Sequence, residues 1–169
     1  MTFILPDESH CDDVVSFYSE FEDNGTTCIG YANFRNYDEW VKEKNNRHTG
    51  EDLPAGFVRE NFYLCYDENK MVGVFSLKFE LTDYLYNYGG HVGYAVRPSV
   101  RKHGYGTMIL RQGLEISKDY GFEKILAVCD DDNIASEKII MNNGGVFENK
   151  LFDKEENVFV KRYWINLNQ

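Results

Sequence analysis

Several features are missing from this sequence of 169 residues, and each absence excludes a class of protein. No apolar run approaches the roughly 18 residues of a membrane-spanning helix, and residues 1–10 lack the basic start and apolar core of a signal peptide. Positive charge is scarce, because 18 Lys and Arg stand against 28 Asp and Glu, for a net charge of −10. Binding to nucleic-acid phosphates needs a basic face, so we expect neither a nucleic-acid nor a membrane partner.

Paired metal and redox motifs are absent as well. The four cysteines, Cys11, Cys28, Cys65 and Cys129, are widely spaced, with no C-x-x-C pair and no cluster with histidine. We therefore expect reduced thiols, no bound metal and a cytoplasmic location. The length and the 43% hydrophobic content suit one core, so we predict a single domain over residues 1–169.

The spacing of apolar residues predicts both strands and helices. Strands are predicted at residues 2–5, 62–66, 71–81, 90–96, 124–129, 146–152 and 158–167, and helices at 11–21, 37–44, 105–120 and between Asn133 and Gly144. The polar residues 45–54 are predicted to form a loop. This order predicts a mixed α/β (α+β) fold, with a central, mostly antiparallel sheet of about six or seven strands flanked by helices.

A basic loop with two glycines lies between the predicted strand ending at Val96 and the helix that follows. It consists of Arg101, Lys102, His103, Gly104, Tyr105, Gly106 and Thr107. Because Gly104 and Gly106 have no Cβ atoms, consecutive main-chain N–H groups can approach a phosphate there. Arg101 and Lys102 add positive charge. The loop is a candidate pyrophosphate site, although a plain strand-to-helix turn can have the same composition.

Two other nucleotide-binding loops are excluded by their chemistry. A dinucleotide fingerprint needs a third glycine three positions after the second, where Ile109 stands. A P-loop needs Lys-Ser or Lys-Thr after its last glycine, but Thr107 and Met108 follow Gly106. Neither motif is present.

A second motif follows the next predicted strand, where Asn133 precedes Ser136 by three positions and Gly144 closes the segment. With both motifs in this order, the sequence resembles the GNAT superfamily of acyl-CoA-dependent N-acetyltransferases, whose R-x-x-G-x-G loop matches Arg101, Gly104 and Gly106. The resemblance covers most of the chain, roughly residues 61–167, and is weakest before them. It implies acetyl-CoA as co-substrate and transfer of acetyl to a primary amine, by direct attack, on a small molecule or a peptide. The alternative is a non-catalytic module that senses acyl-CoA.

The resemblance also implies roles for individual residues. The main chain of Tyr94, Ala95 and Val96 would bond the pantetheine arm as an added strand does, and one N–H group of this strand would polarise the thioester carbonyl. The side chains of this strand equally fit a plain core face. Asn133 and Ser136 would contact the cofactor beside the basic loop, and they equally fit a simple helix cap.

A base is required because an alkyl amine with a pKa of about 10.4 is almost fully protonated at neutral pH. His91 is the candidate, since its reference pKa of about 6.5 leaves it able to accept a proton. A strand histidine bonded to nearby main chain is the alternative. Many resembling enzymes carry a tyrosine as general acid seven positions after Asn133, but Ile140 stands there. The thiol can leave as thiolate at pH 7.5 for roughly 1.4 kcal/mol, so that acid is optional.

The acceptor and the oligomeric state stay open. Glu20, Glu22, Asp23 and Asp83 could attract a cationic amine or form a solvated acidic face. The C-terminal hairpin can pair within the chain or between two chains, so a homodimer is compatible with the sequence.

Overall fold

The computed structural model describes residues 1–168, which form seven strands, four α-helices and three short helical turns. Gln169, the last residue of the predicted domain, lies outside the described residues. In chain order the elements are β1 (Thr2–Ile4), α1 (Cys11–Asp23), α2 (Tyr37–Thr49), β2 (Glu60–Asp67), β3 (Lys70–Lys78), β4 (Val92–Val96), α3 (Tyr105–Asp119), β5 (Lys124–Asp130), α4 (Ile134–Asn142), β6 (Val146–Asp153) and β7 (Val158–Asn166). The short turns are Glu8–His10, Leu85–Gly89 and Pro98–Val100.

All the strand pairs are antiparallel, which confirms the predicted class and number of strands. The strands fall into two sheets, one in the order β1-β2-β3-β4 and one in the order β5-β7-β6. The sequence pattern does not show that β4 and β5 belong to different sheets, because β4 pairs normally with β3 and β5 pairs normally with β7. It creates the cleft described below.

Helices cover both faces of the four-stranded sheet, so its inner strands are buried on both sides. On β2, Tyr63 and Cys65 point into a core shared with α3, whereas Phe62, Leu64 and Tyr66 point into a core shared with α1 and α2. This alternation follows from the two-residue period of a strand. A strand buried on both faces reads as a continuous apolar run, as residues 62–66 do.

The helix α1 shows how strongly a helical face is buried. Val14, Phe17, Tyr18 and Phe21 recur at helical spacing, and each is no more than 1% exposed. Burial of each such side chain stabilises the fold by about 1.5–3 kcal/mol. This face therefore fixes α1 against the sheet.

The helix α3 lies unusually close to β3 at one glycine. A Cβ atom on Gly113 would lie 2.3 Å from ring atoms of Phe75. The absence of that atom lets the helix backbone rest on the aromatic ring. Gly113 thereby sets the position of α3, whose first turn belongs to the cleft.

Three predicted boundaries are wrong. The helix α2 continues to Thr49 through residues predicted as a loop, because Arg47 pairs with Glu60 and His48 bonds Asn61. These contacts come from another element, and helix propensity alone does not contain them. The predicted strand at 71–81 ends at Lys78, and the one at 90–96 begins at Val92 after the helical turn Leu85–Gly89.

Candidate active site

A cleft opens where the two sheets separate. At its closed end, the main-chain N–H of His91 donates to the carbonyl of Leu126 at 2.8 Å, and the N–H of Leu126 donates to His91 Nδ1 at 2.9 Å. Past this point, within residues 1–168, β4 forms a ladder only with β3, and β5 forms one only with β7. One edge of each strand therefore faces the gap between the sheets.

The main chain of β4 presents alternate residues to this gap. The N–H of Arg97 donates to Val72 across from β4 at 2.8 Å, and the carbonyl of Ala95 lies 2.5 Å from the place of a Cβ on Gly73 in β3. Because main-chain groups alternate along an antiparallel strand, those of Tyr94 and Val96 point away from β3. Of the three residues predicted to bond an extended ligand, Tyr94 and Val96 have main-chain groups facing the cleft.

The basic loop follows β4 and leads directly into α3. Lys102 has φ of 66° and Gly104 has φ of 86°, so two residues of the loop are left-handed. Gly104 caps α3 without a side-chain hydrogen bond, and residues 101–104 are exposed. The first-turn N–H groups of a helix have no partner within it and attract anions. The loop and the start of α3 therefore form a site suited to a phosphate.

Contacts from other elements orient the cations of this loop. Arg101 Nε donates to the carbonyl of Val96 at 3.3 Å, and its guanidinium lies 5.3 Å from the centre of the Phe21 ring in α1. His103 Nδ1 lies 3.3 Å from the carbonyl of Val100. Arg101 is thus held beside the end of β4, with its remaining N–H groups available to a ligand.

The start of α4 forms the opposite wall of the cleft. Asn133 Oδ1 accepts a hydrogen bond from the N–H of Ser136 at 3.0 Å, which makes Asn133 the N-cap that the sequence allows. The hydroxyl of Tyr94 lies 2.8 Å from Ser136 Oγ, so a side chain from β4 reaches α4. Burial raises the pKa of Tyr94 to about 12, so this phenol stays protonated. The strand that precedes the basic loop is thereby in direct contact with the second motif.

A glycine brings the two motif helices together. Gly106, in the first turn of α3, is buried, and a Cβ on it would lie 2.5 Å from Ile139 Cδ1 in α4. A larger side chain here would displace the end of the Ile139 side chain. Gly106 therefore serves helix packing, whereas the exposed and left-handed Gly104 has open space around it.

His91 lies at the closed end of the cleft and is partly buried. Its Nδ1 accepts the hydrogen bond from Leu126, which leaves Nε2 as the nitrogen that can exchange protons with a ligand. Burial first, and then the charge of Lys78, lowers the pKa of His91 to about 4. Its ring also packs against Phe122 and Trp164, with centroids 5.5 and 6.2 Å away. His91 is neutral at pH 7 and only weakly basic.

Two other residues near the cleft are inert. Ile140, which stands where many resembling enzymes carry a tyrosine, is fully buried in the core. Cys129 is buried as well, and burial raises the pKa of its thiol to about 11. A thiol in this state is not a nucleophile at neutral pH.

A group of charged residues on the other side of the closed end was missed by sequence reasoning. Glu60 is buried and accepts a hydrogen bond from Arg47 at 2.6 Å, with Lys78 Nζ 3.6 Å from its other carboxylate oxygen. Burial alone would raise the pKa of Glu60, but Lys78 and Arg47 lower it below its ordinary value. The three residues belong to different elements and form no local motif. The only available signal was a charged residue, Glu60, directly before an apolar strand.

The described part of the chain offers neither a metal-binding cluster nor a membrane-spanning helix. Residues 1–168 contain no group of three or more His, Cys, Asp or Glu side chains placed to hold a metal ion. None of the helices in this range combines the length and the apolar character needed to cross a bilayer.

The cleft between two splayed sheets, with a basic glycine-containing loop on one wall, agrees with a comparison against protein families. The profile of the acetyltransferase (GNAT) family matches residues 37–140. The chain therefore belongs to the acetyltransferase (GNAT) family, and this membership makes it an acyltransferase of the N-acetyltransferase class. No curated protein matches the sequence.

Solved structures share the fold at low sequence identity. An acetyltransferase from Salmonella typhimurium that modifies the N-terminal serine of the ribosomal protein L7/L12 has a TM-score of 0.73 and 19% identity, over 97% of this chain and 93% of that one. The microcin C7 self-immunity acetyltransferase MccE, solved with acetyl-CoA and AMP, has a TM-score of 0.73 and 16% identity, over 98% of this chain and 91% of that one. A mutant spermidine N-acetyltransferase SpeG from Vibrio cholerae has a TM-score of 0.68 and 16% identity, over 99% of this chain and 96% of that one. These likenesses extend the family fold to the whole described chain.

Proposed function

We propose that this chain is one N-acetyltransferase domain that takes acetyl-CoA as co-substrate and transfers the acetyl group to a primary amine by direct attack. The observation that carries the proposal is the contact between Tyr94 and Ser136, which joins the loop-bearing strand to the capped start of α4 across the cleft. MccE, which has the same fold, was solved with acetyl-CoA bound. The thioester of acetyl-CoA supplies an activated acetyl group.

The residues of the cleft fit such a ligand. The exposed residues 101–104 and the start of α3, which has no side-chain cap, would hold the pyrophosphate, with Arg101, Lys102 and His103 beside it. The cleft-facing main-chain groups of Tyr94 and Val96 would bond the amides of the pantetheine arm. Asn133 and Ser136 complete the wall formed by α4.

His91 is proposed to accept the proton that the amine loses. Taking a proton directly from an alkylammonium with pKa about 10.4 would cost an imidazole of pKa about 4 roughly 9 kcal/mol. His91 therefore acts only on the nitrogen after a neutral amine has attacked, when that proton is far more acidic. Nε2 carries this role, because Nδ1 is engaged by Leu126.

The sulfur is proposed to leave as thiolate without a dedicated acid. Ile140 carries no proton to donate and is buried in the core. Tyr94, with a pKa of about 12, gives up its proton less readily than a thiol of pKa about 8.5. At pH 7.5 departure as thiolate costs only about 1.4 kcal/mol relative to the thiol.

A homodimer belongs to the same proposal. The strand β6 lies at the edge of its sheet and exposes Val146 and Phe147 by 69% and 55%. An apolar edge strand of this kind is a surface on which a second copy can pair. Sedimentation velocity distinguishes the monomer from the dimer.

Calorimetric titration with acetyl-CoA tests the cofactor site. Wild type should bind at 1:1 stoichiometry, and Gly104→Val should lose about 100-fold or more in affinity, because its side chain stands among the N–H groups of the loop. Gly121→Val is the matched control, since Gly121 follows α3 with the same φ of 86° and the same open space. Because both valine variants have the same backbone strain, a loss of acetyl-CoA affinity in Gly104→Val alone assigns the effect to the loop.

The outcomes separate the candidate functions. Absence of acetyl-CoA binding by wild type overturns the proposal, and equal losses in both variants remove the loop from it. Binding followed by thiol release with any primary amine in a broad panel establishes the transferase. Binding without thiol release across the panel favours an acyl-CoA sensor, to which the weakly basic His91 and the apolar Ile140 already point.

A further inference from the structure

A cavity of about 270 Å³ opens beside the closed end of the cleft, between the loop that precedes β2 and the segment that follows β3. Its lining combines apolar and charged side chains: Phe57, Val58, Leu85, Arg47, Glu60 and Lys78. Charged groups within a partly apolar cavity suit a ligand with an aliphatic chain and a charged end.

The strand register places this cavity next to the proposed site of acetyl transfer. Ser76 pairs with Gly93 in β4, and Lys78 lies two residues further on the same face of β3. Two residues of a strand span about 7 Å. The N–H of Lys78 also donates to the carbonyl of His91 at 2.7 Å. A ligand group held by Lys78 is therefore about one short aliphatic chain away from Gly93.

Ser76 provides a second link between the cavity and the cleft. Its hydroxyl oxygen lies 3.2 Å from the place of a Cβ on Gly93, and it helps to lower the pKa of Glu60. The Ile29 side chain also reaches this point, with Cδ1 and Cγ2 3.3 Å from the place of that Cβ. An amine held near Gly93 would therefore lie beside Ser76 and Ile29.

The charge in the cavity favours an anion. Glu60 is the single carboxylate among the six lining residues named above, and two cations face it. Its contact with Arg47 is a short hydrogen bond of 2.6 Å, whereas Lys78 Nζ is 3.6 Å away, beyond hydrogen-bond distance. The side chain of Lys78 is 18% exposed, and its ammonium can turn to a second anion. Arg47 also pairs with Glu43, which pairs in turn with Lys44, so the ion-pair network holds three cations against two carboxylates in a chain of net charge −10.

Two of the four acidic residues that could have attracted a cationic amine, Glu20 and Glu22, are engaged elsewhere. Glu22 accepts hydrogen bonds from Arg35 and Tyr31, and Glu20 forms an ion pair of 3.0 Å with Arg97. Their charges are compensated within the protein. Glu20 and Glu22 therefore offer little attraction to a polyamine.

We propose that Lys78, positioned by Glu60 and Arg47, binds an anionic group on the acceptor. The substrate class is then a primary amine that carries a carboxylate or a phosphate a few bonds from its nitrogen. This inference rests on the proposed transferase function and specifies the acceptor of the same site.

Matched four-carbon amines test the inference through acetyl-CoA-dependent thiol release. The probes are 4-aminobutyrate, its neutral analogue butylamine and the dication 1,4-diaminobutane, with 3-aminopropylphosphonate to distinguish a phosphate-like from a carboxylate group. We expect kcat/KM for 4-aminobutyrate or the phosphonate to exceed that for butylamine by about tenfold or more, since a charge-assisted hydrogen bond is gained. We expect 1,4-diaminobutane to be the poorest acceptor.

Substitutions of Lys78 assign the preference to this residue. Lys78→Met keeps the approximate length of the side chain and removes its charge. The ratio of kcat/KM for 4-aminobutyrate to kcat/KM for butylamine should therefore fall to near one. Lys78→Arg should restore most of the ratio. Lys70→Met, an exposed position at the other end of β3, is the control and should keep the wild-type ratio.

Each outcome bears on one proposal. Preference of wild type for butylamine or 1,4-diaminobutane, or a ratio that survives in Lys78→Met, overturns the anion site while leaving the transferase established. Absence of thiol release with every amine overturns the transferase itself. If Lys78→Met does not fold, the order of the four amines with wild type decides the inference.

Discussion

The two sides of the cleft differ in how they are built. The cofactor side consists of short contiguous segments, residues 101–107 and 133–136, whose proposed contacts are largely made by main-chain groups. The acceptor side combines Arg47, Glu60 and Lys78 from three separate elements, and its proposed contacts are made by side chains. A family can keep the first arrangement as a local motif, whereas the second can change with single substitutions. The cofactor side of such a site can therefore be predicted from the sequence more easily than the acceptor side.

The largest effect is expected from the buried carboxylate on the acceptor side. Glu60→Ala leaves Arg47 and Lys78 without their shared partner, and removing one member of a buried ion pair costs about 3–5 kcal/mol. We expect this loss in the free energy of unfolding, measured by chemical denaturation. Glu68→Ala, at an exposed turn, should change it by less than about 0.5 kcal/mol.

The same variants show whether the two sides are independent. Glu60 is remote from the basic loop, so calorimetry should find nearly wild-type affinity for acetyl-CoA in folded Glu60→Ala. A matching fall in acetyl-CoA affinity would contradict the separation of cofactor and acceptor sides.

The next effect concerns His91, which lies where the two sides meet. His91→Gln should lower kcat by about 100-fold, the lower end for general-base catalysis because the imidazole is a weak base. Acetyl-CoA affinity should change little, since His91 is not in the loop. His91→Asn is the structural control, because its side-chain oxygen can still accept the hydrogen bond from Leu126. An unaltered pH–rate profile in His91→Gln would remove His91 from the mechanism.

A smaller effect of His91 is expected on stability. The folded pKa of about 4 lies below the unfolded value of 6.5, so the unfolded chain takes up the proton first as the pH falls. The contribution of neutral His91 to the free energy of unfolding is fully present above pH 6.5 and is lost as the pH falls toward 4. Because the ring is partly exposed, we expect a loss of about 1–2 kcal/mol rather than the full linkage value.

Comparison with the asparagine variant isolates this contribution. His91→Asn carries no titrating group there, so its free energy of unfolding should vary less between pH 6.5 and 4.5 than that of wild type. Parallel curves for the two proteins would mean that His91 titrates normally in the folded state.

The smallest effect is expected from a single cation of the basic loop. Lys102→Ala should weaken acetyl-CoA binding by about tenfold or less, because one exposed charge contributes modestly to holding a phosphate. The difference should shrink at high salt, where exposed charges are screened. Lys70→Ala, exposed and outside the loop, should bind acetyl-CoA like wild type at every salt concentration.

Much of the fold was predictable because its signals are local. The apolar face of α1, the strand pattern of β2 and the glycine before α3 are each contained in a few consecutive residues. The last turn of α2 was mispredicted because Glu60 and Asn61, far along the chain, hold Arg47 and His48 in a helix. A local pattern cannot report such contacts.

The sequence by itself determined the order of the elements, the family motifs and the residues of the proposed phosphate site, because these depend on spacing and on the missing side chains of glycines. Tertiary structure alone decided that β4 and β5 separate, that Tyr94 reaches Ser136, and that Lys78 shares a cavity with Glu60. It also decided the low pKa of His91, since burial and the charge of Lys78 come from residues that adjoin it only in the folded chain. Distances between elements and the dielectric environment of a group arise only from packing.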